Sequence, residues 1–216
     1  MNLFSKQKQD EKTDIILSDD STKNNSSDNQ ENPLVEIIRF SIIALLIVVP
    51  IRMFIAQPFI VSGASMEQTF HTGEYLIVDQ VSYYLQEPAR GEVIVFRYPK
   101  EPSKFFIKRI IGLPGETVDI NGSTVSITNE DHPEGFILDE TYIKSMEKGT
   151  VLNEPLGPRE YFVMGDNRDE SSDSRIWGVL QEERIIGRAF LRLFPPQEIG
   201  VFPGAIEQNI VISDQQ

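Results

Sequence analysis

Three short stretches carry residues whose types could do nucleophilic chemistry. Val61-Ser62-Gly63-Ala64-Ser65-Met66 sets serines among small residues, which let a backbone approach closely and leave a hydroxyl accessible. Phe105-Phe106-Ile107-Lys108-Arg109-Ile110-Ile111 places a lysine inside an apolar strand pattern, where alternation can turn its ammonium toward a buried face. Desolvation lowers a lysine pKa and makes the neutral amine a general base. Gly165 to Gly178 is a dense polar run in which Arg168 and Arg175 alternate with Asp166, Asp169 and Asp173, a pattern of fixed ion pairs. A nucleophile, a base and an orienting hydroxyl are the parts an activated serine needs. Each stretch also has a plainer reading: a polar turn, a solvent-facing or carboxylate-paired lysine, a solvated acidic loop. Spacing along the chain does not bring the three together.

Other chemistries are poorly served. The 216 residues include no cysteine and only two histidines, His71 and His132, so thiolate nucleophiles, disulfides and His-rich metal sites drop out. Lack of cysteine leaves the compartment open. Asp169, Ser171 and Asp173 stand at calcium-loop positions, but Ser174 replaces the required glycine and Leu180 the bidentate glutamate. No metal or cofactor is expected. A net charge of −13 argues against nucleic acid, whose phosphates call for clustered Lys and Arg. That charge is not confined to the tail, since residues 1–33 hold four lysines against seven carboxylates.

The elements that must position these residues follow in order. Residues 1–33 are polar and lack the apolar material to offset ordering entropy, so they are expected to be disordered. Residues 34–56 form the one strongly apolar segment. Its uninterrupted part, Phe40–Ile51, is short of the roughly 20 residues that cross a bilayer, but the whole segment suffices if Glu36, Arg39 and Arg52 snorkel at the ends. A buried core helix is the alternative. From Gln57 onward the pattern is strand-like, with β-branched and aromatic runs at Tyr75–Asp79, Glu92–Tyr98, Phe105–Ile111 and Tyr161–Met164. Asn121-Gly122 between two alternating runs predicts a type I′ hairpin, and Glu182–Ile186 a short helical turn. A mostly β domain over about 57–212 follows.

The three motifs, in this order and after an N-terminal apolar segment, resemble those of bacterial type I signal peptidases, a Ser/Lys dyad family. The resemblance covers about residues 35–205. Its most specific part is Gly165–Gly178, and Gln57-Pro58-Phe59 and Arg90–Phe96 also match. It implies a transmembrane helix at 34–56, an extracytoplasmic β-rich peptidase domain at 57–212 with a smaller inserted β subdomain at 116–161, and a cytoplasmic tail at 1–33. Ser65 would be the nucleophile, Lys108 the general base, and Ser171 the hydroxyl that orients Lys108. Asp173 and Arg175 would form a supporting salt bridge, with Asp169 fixing the loop. Ser65 N–H would be one oxyanion donor. Some members carry a serine two positions before the nucleophile as a second donor, and that position is Gly63 here. Val61 and Ile107, then Phe59 and Phe105, are the candidates for lining substrate pockets, with plain core as the other possibility.

The implied activity is removal of signal peptides from exported preproteins. Small side chains at the first and third positions before the cut would enter shallow pockets, with lipid as the anchoring partner and the enzyme acting as a monomer. Two other functions compete. A self-cleaving Ser/Lys regulator would need an N-terminal DNA-binding unit, and residues 1–33 have neither helix periodicity nor basic charge. An inactive anchored β-domain serving as a binding module would have no use for Ser65, Lys108 and Ser171 together.

Overall fold

A computed structural model of the chain describes residues 33–50, 56–143, 150–206 and 210–211, so the tail expected at 1–33, apart from Pro33, lies outside the described residues. Helix α1, Pro33–Pro50, has proline at each end and none of its residues is buried. At about 1.5 Å per residue, its 18 residues rise some 27 Å, close to the roughly 30 Å of a bilayer's hydrocarbon layer. It is long and apolar enough to cross a membrane. The expected span ended at Ala56, but Ala56 is already the first residue of a strand.

The remaining described chain is mostly β. Its strands are β1 (Ala56–Ile60), β2 (Tyr75–Asp79), β3 (Val93–Arg97), β4 (Phe105–Gly112), β5 (Thr117–Asn121), β6 (Thr124–Thr128), β7 (Phe136–Leu138), β8 (Val151–Pro155), β9 (Glu160–Met164), β10 (Leu180–Gln181), β11 (Ile185–Phe194), β12 (Gly200–Val201) and β13 (Ile210–Val211). One helical turn, α2 (Ser174–Trp177), interrupts them between β9 and β10. Eight strands form one sheet in the order β1-β2-β11-β3-β4-β9-β10, with β12 on β11. Five form another in the order β13-β7-β6-β5-β8.

The sequence pattern explains most of these elements. Val93-Ile94-Val95-Phe96 is buried at every position because β3 lies between β11 and β4 with covered faces. Val93 packs with Val61, Met66, Phe70, Leu76 and Ala189, whereas its neighbour Ile94 packs with Phe96, Ile110, Tyr161 and Val163. In the five-stranded sheet the alternation is plain: Val118, Ile120, Val125 and Ile127 point inward and their neighbours outward.

Two local expectations need correction. The hairpin at 121–124 exists, but Asn121 pairs with Thr124, so its loop is Gly122-Ser123. Gly122 has φ +62° while Ser123 is not left-handed, which is the II′ pattern with glycine first rather than I′. The helical turn is confined to Glu182–Arg184, and the ten-residue β11 follows at once. Register shifts within its pairings to β2 and β3 break the two-residue period, which hid this central strand from pattern reading. Gly187 in it packs so close to the Asp79 carbonyl that a Cβ has no room.

Candidate active site

The sheet that carries the site curls on itself. β1 and β4 are separated by three strands in the order, yet the Phe59 and Phe105 rings meet edge to face with centroids 5.3 Å apart. Between the two strands runs a cleft of about 480 Å³, lined by Phe59 to Ser65 on one side and Lys104 to Lys108 on the other. Leu76 and Val95 also reach it, as do Glu170 and Ser172 at its polar margin. β9 pairs with β4 only from Arg109 onward, and the ladder on that side ends at Arg109↔Met164. The Phe105–Lys108 half of β4 therefore has no β9 partner and faces the cleft.

The serine follows β1 directly. Val61 N–H donates to Glu74 O at 2.9 Å and Gly73 N–H to Val61 O at 2.9 Å, which closes the 61–74 loop at its base. Met66 and Phe70 sink into the core beneath, so Ser65 sits on a turn anchored at the next residue. Lys108 approaches from β4. Its side chain is 3% exposed, and Nζ lies 2.6 Å from Ser65 Oγ and 2.9 Å from Ile107 O, with the Phe106 ring centroid 5.3 Å away. Burial pulls the Lys108 pKa down to about 8, against the opposing pull of the Asp173 and Asp166 carboxylates.

The loop after β9 packs against the serine turn. Gly165 N–H donates to Asp173 Oδ2 at 3.1 Å. A Cβ on Gly165 would collide with both Ser171 Oγ and Ser65 O, so only glycine lets the loop and the serine turn pack this closely. Asp173 caps α2 by accepting from Arg175 N–H, and it accepts from the Arg175 guanidinium at 2.8 Å from both Nε and Nη2. Arg175 Nη2 also reaches Arg168 O at 2.6 Å. Asp169 is exposed in the turn Arg168–Glu170.

Ser171 behaves differently from expectation. Its hydroxyl is buried and has no hydrogen-bond partner, so the anticipated bond to Lys108 is not formed in this structure. Lys108 uses Ile107 O instead. Gly63 is exposed with φ +103°, and its N–H is taken by Thr72 Oγ1 at 3.1 Å, which in turn donates to Gly63 O. Val61, Ile107, Phe59 and Phe105 all line the cleft. Val61 and Ile107 also belong to the core cluster beneath the serine turn, so lining and packing coincide there.

Several contributors went unrecognised in the sequence. Arg109 is fully buried and binds Asp166 through Nε at 2.8 Å and Nη2 at 2.5 Å. Thr69 Oγ1 donates to the same carboxylate at 2.5 Å. Asn167 binds the serine turn through both its main chain and its amide. Arg109 and Asn167 lie inside the matched motifs and Thr69 just after one, but their partners are far away in the chain.

A family model described as signal peptidase, peptidase S26, matches residues 34–194. The chain belongs to this family. A probable signal peptidase I-2 of Synechocystis sp. is 35% identical over 208 residues, covering 92% of this chain and 90% of the relative. The signal peptidase I of Bacillus licheniformis is 36% identical over 179 residues, covering 80% and 95%. A crystal structure of a signal peptidase I from Enterococcus faecalis is 28% identical and covers 48% of this chain and 97% of that one, with a TM-score of 0.41. The protein is thus a signal peptidase family serine protease with a mostly β fold and an apolar N-terminal helix.

Proposed function

We propose that this protein is a membrane-anchored endopeptidase that removes N-terminal signal peptides from exported preproteins, with Ser65 as nucleophile and Lys108 as general base. The observation that carries the reading is the 2.6 Å approach of a buried lysine amine to a serine hydroxyl at the head of an open cleft. With a pKa of about 8, roughly a tenth of Lys108 is neutral at pH 7. The neutral amine takes the Ser65 proton as Oγ bonds to the scissile carbonyl carbon. Lys108 then returns that proton to the departing amine as the peptide bond breaks, leaving an ester between Ser65 and the signal peptide. A water, deprotonated by the same amine, attacks the ester and releases the peptide as a carboxylate. Ser65 N–H is the backbone donor to the oxyanion, since the Gly63 N–H is already committed to Thr72.

An extended substrate pairs with the open half of β4 and lies against β1, the mode in which a strand is added to a free edge. The apolar walls supplied by Val61, Leu76, Val95 and Ile107 leave room for small side chains at the first and third positions before the cut. Asp173 and Arg175 hold the loop, and Ser171 supplies a hydroxyl within it. Helix α1 anchors the enzyme, with residues 1–33 cytoplasmic and the β domain outside. Purified enzyme in lipid vesicles, given a preprotein, should cleave it, and Ser65→Ala and Lys108→Ala should not. Full activity in either variant overturns the assignment.

A further inference from the structure

Asn167 makes two contacts with the serine turn on adjacent peptide units. Its side-chain Nδ2 donates to Ala64 O at 3.0 Å, and its backbone N–H donates to Ser65 O at 3.0 Å. Because a carbonyl can only accept, the amide must present its nitrogen, which fixes the Asn167 rotamer assignment. The Ala64 carbonyl and the Ser65 N–H belong to one planar unit, and this peptide bond is trans, so the two groups point in opposite directions. Holding the carbonyl end holds the N–H end. The side-chain bond shares Ala64 O with the Glu67 N–H, and from the loop side it fixes the rotation of the very peptide whose N–H would meet the oxyanion, while the main-chain bond pins the next one.

The rest of the loop reinforces that grip without duplicating it. Asp166 N–H lies 3.4 Å from Met66 Sδ, and the Asp166 carboxylate takes the Thr69 hydroxyl. These contacts tie down residues 66 and 69, whereas the Asn167 amide is the bond from this loop to Ala64 O, whose other donor is the local Glu67 N–H at 2.9 Å within the serine turn.

We infer that Asn167 is a positioning residue that aims the Ser65 N–H at the developing oxyanion. This rests on the proposed Ser/Lys reaction, and it adds to it a side chain that touches neither substrate nor the lysine. A peptide plane free to rock misplaces its N–H by a fraction of an ångström to an ångström, enough to cost about 100-fold in rate when a catalytic donor is involved.

The test compares the full-length wild type with Asn167→Leu, a near-isostere without the donor, and Asn167→Ala, both in vesicles with a preprotein. We expect kcat to fall about 10- to 100-fold with KM within about twofold of wild type, and with the alkaline rise of the rate left near pH 8. A peptide aldehyde ending in alanine, which forms a tetrahedral adduct on Ser65, should lose affinity in parallel with kcat/KM, while the matching uncleavable ground-state peptide should not. Unchanged kcat overturns the inference. So does a fall in kcat shared by a rise in KM, by a shift of the pH limb or by equal weakening of both ligands, since that pattern marks a loosened loop. Ser65→Ala, run beside them, separates the two ideas: if it cleaves normally the Ser/Lys reading fails, whereas inactive Ser65→Ala with unimpaired Asn167 variants sinks only the positioning role.

Discussion

The two sheets solve the burial problem in opposite ways. The five-stranded sheet buries Val118, Ile120, Val125, Ile127, Phe136 and Leu138 on one face and leaves their neighbours outside, with no ionisable group among those inward positions. The eight-stranded sheet takes cations into its interior: Arg192 on β11 and, on adjacent positions of β4, Lys108 and Arg109. Arg109 is matched by a bidentate carboxylate and two carbonyls, Gly91 O at 2.7 Å and Gly204 O at 2.5 Å. Lys108 is matched by a hydroxyl, a carbonyl and the face of the Phe106 ring. The neighbours differ by one residue in register, and one is paired with a carboxylate while the other is pushed toward neutrality. A uniformly apolar sheet gains stability from every buried position; the eight-stranded sheet gives some of that up at Lys108, the residue that the proposed mechanism uses as its base.

Substitutions can break this contrast, beginning with the largest effect. Lys108→Met should lower kcat by about 10⁴-fold or more while leaving thermal stability equal or higher, because it removes a buried charge with no carboxylate partner. Calorimetry beside a cleavage assay checks both halves, and a large stability loss would contradict the account. Ile120→Ala in the other sheet should do the reverse. It should cost about 2–5 kcal/mol of stability in a denaturant titration, with kcat of the folded fraction near wild type.

The pH response sharpens the same contrast. Lys108 has a folded pKa of about 8 against an ordinary 10.5, so the unfolded chain binds more protons between these values. Stability should therefore rise as pH climbs from about 8 to 10.5, and Lys108→Met should flatten that rise. Over the same titration kcat/KM should fall about tenfold per pH unit below 8. A rate independent of pH between 6 and 9 would speak against a lysine base. Ser171→Ala should give the smallest change in stability, neutral or a gain of up to about 1 kcal/mol, since its hydroxyl is buried without a partner. If Ser171 orients Lys108 once substrate is bound, kcat should still drop in this variant, which steady-state kinetics would reveal.

Much of this was legible in the sequence, and the failures are specific. β2, β3, β4 and β9 fell on the runs of β-branched and aromatic residues that predicted them. Ser65 and Lys108 sit 43 positions apart, and only the sheet brings them together. β11 was hidden because its bulges scramble the alternation that marks a strand. The hairpin turn slipped by one residue because Asn121 and Thr124 pair, which moves glycine to the first turn position. Arg109, Thr69 and Asn167 were invisible as functional residues because each acts on a partner 57 to 103 positions away, and residue type alone cannot name that partner.

The cleft between β1 and β4 has a broader consequence. β1, β2, β11, β3 and β4 curl far enough for Phe59 and Phe105 to meet, and in the proposed binding mode an extended polypeptide fills the remaining gap like a missing stave. Such a device senses backbone availability before it senses side chains. A segment locked in a helix or already woven into another sheet has no free N–H and C=O groups to offer, so it is refused whatever its sequence. On the proposed reading, the gap that would admit a flexible leader would thereby spare the folded body of the protein to which that leader is joined.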